Sequence, residues 1–104
     1  MIINGKEIRF LYSIGARCNY EEYCINHPKV SVTRAIVNKA IIMNRAYNDA
    51  NGTTDTVSER EILSLPNREL EKLAVELDEQ EKADSAITVE VEEVEGKNAK
   101  SADQ

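Results

Sequence analysis

Apolar and polar positions change their spacing along this chain, and each change marks a new element. Once Asn4-Gly5 is taken as a two-residue turn, Met1, Ile3, Lys6, Ile8, Phe10 and Tyr12 share one face. Ile2, Glu7, Arg9 and Leu11 share the other. Asn-Gly is the strongest short hairpin signal in the sequence, because a type I′ turn needs positive φ at both central residues. Such a turn pairs Ile3 with Lys6 and Met1 with Ile8. The first strand is short, so Phe10 to Tyr12 overhang it unpaired. That edge is either covered within the fold or used to pair with something else.

From Ser13 onward the spacing becomes helical. Ser13 offers an N-cap for a helix over 14–26, in which Ile14, Cys18 and Ile25 fall within about 40° of each other as a narrow apolar stripe. His27-Pro28 ends it, since the residue before proline is pushed out of the α region. A second helix runs from a Ser31 cap to about Ala50. Val32, Ile36, Ala40, Met43, Tyr47 and Ala50 form one face, which Val37, Ile41, Ile42 and Ala46 widen. Only Arg34, Asn38, Arg45, Asn48 and Asp49 remain as a polar strip. A helix apolar over most of its circumference is buried on several sides. A chain this small can hardly wrap it alone, so part of that surface is a candidate oligomer or partner interface. Asn51-Gly52 supplies C-terminal cap chemistry.

Thr53 to Val57 reads as a polar linker. Ser58-x-x-Glu61 is a capping box that opens a short turn through Leu63. Ser64 and Pro66 offer a further start, and a helix over 67–82 places Leu70, Leu73, Ala74 and Leu77 on one face. Its other face is charged, with Lys72/Glu76 and Asp78/Lys82 in i,i+4 reach. Residues 83–104 are acidic and of low complexity, and disorder is expected there. Within them Ile87-Thr88-Val89-Glu90-Val91 alternates with period two and is a candidate strand for the open hairpin edge. The expected architecture is a small α+β fold, mainly α: a short N-terminal hairpin, three to four helices over 1–82, and an acidic tail over 83–104.

Composition narrows the function. The chain has 104 residues, no Trp and one Phe, so aliphatic side chains supply the core and a roomy cofactor pocket is hard to build. The net charge of −6 is uneven. Residues 1–57 hold seven Lys and Arg against five Asp and Glu, whereas residues 58–104 hold six against fourteen. That balance lacks the cationic footprint of nucleic-acid binders and suits a basic protein partner or a solvating role. No stretch approaches the roughly 20 apolar residues of a membrane span, and no signal peptide is evident. With two cysteines and no disulfide framework, the cytoplasm is the expected location.

The chemistry of an enzyme is hard to assemble from these residues. Four singly scattered glycines make neither a phosphate loop nor a dinucleotide fingerprint. A single His excludes a paired-His metal helix, and there is no Gly-x-Ser-x-Gly elbow. Cys18, Cys24 and His27 form the one candidate metal set, yet five residues separate the cysteines and on a helix they point about 120° apart. Adjacent carboxylates (Glu21-Glu22, Glu92-Glu93) do not face each other as an acid/base pair. Arg34, Lys39 and Arg45 suggest a recognition helix, but the helix that carries them is too apolar. No catalytic residue, metal ligand or cofactor is therefore assigned, and the expectation is a non-catalytic protein.

Ile3-Asn4-Gly5-Lys6-Glu7, Arg9-Phe10, Ile14-Gly15-Ala16 and Glu21-Glu22 resemble the opening of tail assembly chaperones from long-tailed phages and prophages. Ser64-Leu65-Pro66-Asn67-Arg68-Glu69-Leu70-Glu71 is similar to their later acidic helix. The resemblance spans residues 3–80. It implies a transient role in the host cytoplasm: binding and solubilising the tape measure protein, recruiting tail tube protein, and absence from the mature virion. It also implies a longer frameshifted form, for which Gly96-Lys97-Asn98 is a candidate slippery site.

For the client contact the expected residues are Ile36, Met43 and Tyr47 with Phe10 and Tyr12, against the alternative that all five are core. Two other classes compete with the chaperone. One is an acidic adaptor, antitoxin or inhibitor that binds a basic protein, and the other is a small DNA-binding regulator.

Overall fold

A computed structural model of the chain describes residues 1–86. The candidate strand Ile87–Val91, the Gly96-Lys97-Asn98 triplet and most of the acidic tail lie outside the described residues. The elements are strands β1 (Ile2–Ile3) and β2 (Lys6–Glu7), followed by helices α1 (Ile14–Asn26), α2 (Val32–Asn51), α3 (Glu59–Leu63) and α4 (Arg68–Ser85). The fold is mostly helical with a short N-terminal antiparallel hairpin, as the spacing predicts. Helices α1, α3 and α4 each pack on α2.

The hairpin follows from its turn. Asn4 and Gly5 take φ of 54° and 78°, the left-handed pair that a type I′ turn requires. The register is Ile3 with Lys6 and Ile2 with Glu7. Met1 and Ile8 extend it, with the Ile8 N–H donating to the Met1 carbonyl at 2.8 Å and the Met1 amine to the Ile8 carbonyl at 3.1 Å. Ile3, Ile8 and Phe10 enter the core while Ile2 is 62% exposed. The overhanging edge is closed inside the chain. The Leu11 N–H donates to the Met43 carbonyl on α2, and the Tyr12 N–H donates to Oδ2 of Asp84 on α4 at 2.8 Å.

Caps set the helix ends. The Ser13 and Ser31 hydroxyls accept from the N–H groups of Ala16 and Arg34, each at 3.1 Å. Gly52 closes α2 in the left-handed region at φ 66°, where a residue without Cβ carries no steric penalty. Ser58 and Glu61 complete the capping box of α3.

Several expectations are corrected. The Ile14–Cys18–Ile25 stripe of α1 faces solvent, with Ile14 85% and Ile25 75% exposed and Cys18 exposed. The packed side carries Ala16, Tyr20, Tyr23 and Cys24, roughly opposite on the wheel. Tyrosine rings supply apolar area while their hydroxyls find partners, as Tyr23 does with the Asn38 amide at 3.0 Å. On α2, Val32 is 77% exposed and Ala50 is exposed, whereas Asn48 of the expected polar strip is buried. Ser64 does not start α4 but caps the end of α3, its hydroxyl donating to the Arg60 carbonyl. Helix α4 then starts without a side-chain cap and runs past residue 82 to Ser85. On α4, Lys72 pairs with Glu69 rather than Glu76, and Glu76 reaches the Met1 amine at 3.2 Å; the Asp78–Lys82 pair forms at 3.1 Å.

The segment expected to be a simple linker is a strap tied to α2. Asn44, 1% exposed, donates from its amide to the carbonyls of Arg9 (3.0 Å) and Asp55 (3.1 Å), and its Oδ1 accepts from the Val57 N–H (3.1 Å). Asn48 donates to the same Asp55 carbonyl, and its Oδ1 accepts from the Thr53 hydroxyl. Val57 thereby turns into the core.

Glu61 joins the strap end to the hairpin turn. Its carboxylate accepts from the Asn4 amide (2.9 Å) and the Ser58 N–H (3.0 Å), and it pairs with Lys6 at 3.2 Å. These bonds, the Asn4 amide foremost, pull its pKa down from 4.5 to about 2. A carboxylate with a depressed folded pKa stabilises the fold above its ordinary pKa, and the contribution is lost as pH falls through the folded value. Glu61→Gln is therefore expected to lower the urea midpoint at neutral pH. The gap to the parent should narrow as pH drops from 4.5 towards about 2. A gap that stays constant over that range contradicts this assignment.

Candidate interaction surfaces

The five residues expected to meet a client do not form one surface. Phe10 is 5% exposed and Met43 fully enclosed, both in the core cluster. Ile36 and Tyr12 are half-buried against that cluster. Tyr47 lines a small hollow with Glu7, Arg9 and Asp55 beside the strap.

Tyr12 belongs to a polar seam that locks the end of α4 onto α1 and α2. Lys39 Nζ lies 5.5 Å from the Tyr12 ring centre and 5.1 Å from that of Tyr20, and pairs with Glu81. Burial and a hydrogen bond with Cys24 push the Tyr20 hydroxyl up to about 12. Gln80 donates to the same Asp84 oxygen that receives the Tyr12 N–H. With its charges paired and its rings packed, the seam reads as structure rather than a binding site.

The Cys18, Cys24 and His27 set does not converge. Cys18 is exposed, Cys24 turns partly inward, and the His27 ring stacks on Tyr23 at 4.4 Å with Nδ1 against the Tyr23 carbonyl at 3.0 Å. Among the described residues no three His, Cys, Asp or Glu side chains are grouped as metal ligands. None of the helices described is long and apolar enough to cross a membrane.

Two of the remaining concave surfaces lie between helices and hold several apolar side chains. One is an apolar groove of about 110 Å³ where the first turns of α2 meet the α3–α4 corner. Val37, Ile62 and Leu73 form its buried floor, while Leu63, Leu65 and Leu70 stand at its rim, with Leu63 49% exposed. Val32, 77% exposed, adjoins the lining residue Thr33. The spacing places Leu70 on the apolar face of α4 but assigns Leu63 and Leu65 no role. The available signal was two leucines flanking a helix break at Ser64-Pro66, outside either helix's periodic stripe. The other surface is a groove of about 430 Å³ between α1 and α2, with Leu11, Ala16, Ile42 and Ala46 beside Ser13, Asn19, Arg45 and Asp49.

The first groove has no charged residue in its lining, whereas the second holds Arg45 and Asp49. The outer side of α4 shows Glu71, Glu76 and Glu79 with Lys72 around Val75, which is 51% exposed. No protein family, curated protein or solved structure matches this chain.

Proposed function

We propose that this chain is a non-catalytic tail assembly chaperone of a long-tailed phage or prophage, which binds the tape measure protein and helps recruit tail tube protein. The observation that carries the reading is the apolar groove at the α3–α4 corner. A protein with a filled core still holds Leu63, Leu65 and Leu70 around a concave apolar floor. Contiguous apolar surface rimmed by polar residues marks protein interaction sites. A client helix inserts side chains at i, i+3 and i+4 into such a groove. The acidic outer side of α4 keeps the complex soluble. The resemblance of residues 3–80 to these chaperones supplies the identity of the client.

The test is co-expression of the full chain with the tape measure protein encoded beside it, followed by size-exclusion chromatography. A soluble co-eluting complex is expected, with the tape measure protein insoluble alone. Leu63→Glu places a charge at the exposed rim, where the monomer tolerates it, and is expected to weaken the complex about tenfold or more while leaving the helical signal intact. Absence of any complex, with no rescue of solubility, sinks the chaperone reading.

A further inference from the structure

We propose that the α1–α2 groove is the contact between two copies of this chain, which pair with their α2 helices antiparallel. Four of the residues lining this groove lie on one side of α2. Ile42 and Ala46 form an i,i+4 ridge at the groove, and Arg45 and Asp49 form the adjacent i,i+4 row. Ile42 and Ala46 are half-buried, and Arg45 and Asp49 are exposed.

The two charges are unsatisfied within the chain. Among the described residues, neither Arg45 nor Asp49 takes part in an ion pair. They do not bond to each other although they stand four apart. A cation placed N-terminal to the acid is the less favourable order for such a pair. Asp49 sits near the C-terminal end of α2, and the last turn holds no basic residue. That end carries partial negative charge and calls for a cation.

A second copy supplies the cation. A two-fold axis level with residue 47, midway between Arg45 and Asp49, places Arg45 of each copy against Asp49 of the other, making two identical pairs. Ala46, one residue from that level, is small enough to let the helices approach closely. The surface complements itself in charge. The contact is small beside a standard interface, so the dimer is weak and concentration-dependent. It requires no client and does not rest on the chaperone reading.

The test is sedimentation velocity of the full chain over a range of concentrations. A monomer–dimer equilibrium is expected for the native sequence. Arg45→Glu sets two acidic side chains together in each contact, and Asp49→Arg sets two cations together. Each variant alone is expected to dissociate at least about tenfold more readily, and circular dichroism should show both folded. Mixing them restores opposite charges at both contacts, so an equimolar mixture should recover a dimer made of one copy of each. A native chain that stays monomeric throughout overturns the proposal. So does a dimer indifferent to both substitutions, or a mixture that does not recover, because only the antiparallel arrangement makes 45 and 49 partners.

Discussion

Asn44→Ala is expected to destabilise the fold by about 3 kcal/mol, read as a shift of the urea midpoint by circular dichroism. Asn44 is enclosed, and its amide serves three backbone groups from two distant stretches of chain: Arg9, Asp55 and Val57. Truncation leaves the Val57 N–H and the Arg9 carbonyl without that partner, at roughly 1–3 kcal/mol for each buried group. A domain of this size is stable by only about 5–15 kcal/mol in total, so the loss is a large fraction. Asn48→Ala should cost less, about 1 kcal/mol, because the Asp55 carbonyl keeps its bond from Asn44. The two changes are not additive. In the double variant the Asp55 carbonyl loses both donors, so the combined loss should exceed the sum of the single losses. Additive effects, or an Asn44→Ala midpoint equal to the parent's, contradict the view that these amides hold the strap.

The features legible in the sequence are those with a local cause. Asn4-Gly5 dictates its turn through φ, Ser13, Ser31 and Ser58 announce helix starts, and Gly52 announces an end. The hairpin's inward residues follow from alternation alone. What sequence spacing misses depends on partners distant along the chain. On α1, hydrophobicity favours Ile14 and Ile25, yet the helix packs through Ala16 and the tyrosines, because close approach to α2 needs a small residue and rings with partnered hydroxyls. On α2, Asn48 has the composition of a surface residue. Only the return of Asp55 over the helix makes it an interior one. Asn44 and Asn48 continue the i,i+4 row of Ile36 and Ala40, and that placement is a sequence signal of such a strap, since buried amides demand partners.

The same distinction decides the expected client contacts, and Met43→Ala tests it. Met43 is fully enclosed on α2, in one cluster with Ile3, Phe10, Leu73 and Leu77. Removing its side chain leaves a cavity among them, at a cost of about 2–4 kcal/mol. Phe10→Ala falls in the range of about 3–5 kcal/mol for the same reason. Neither side chain reaches a partner while the domain is folded, so both variants should lose stability first. Any loss of client binding should track the unfolded fraction and be recovered on cooling or at low denaturant. A rim change such as Leu63→Glu should do the opposite, weakening binding while the stability changes by less than about 1 kcal/mol. The decisive comparison is binding at matched folded fraction. Were Met43→Ala to abolish binding there with its midpoint unchanged, Met43 would be a contact residue that the closed fold hides, and the client would have to open the core to reach it. The enclosure of Met43 against residues from β1, α2 and α4 argues for the first outcome, because opening that seam exposes the whole core at once.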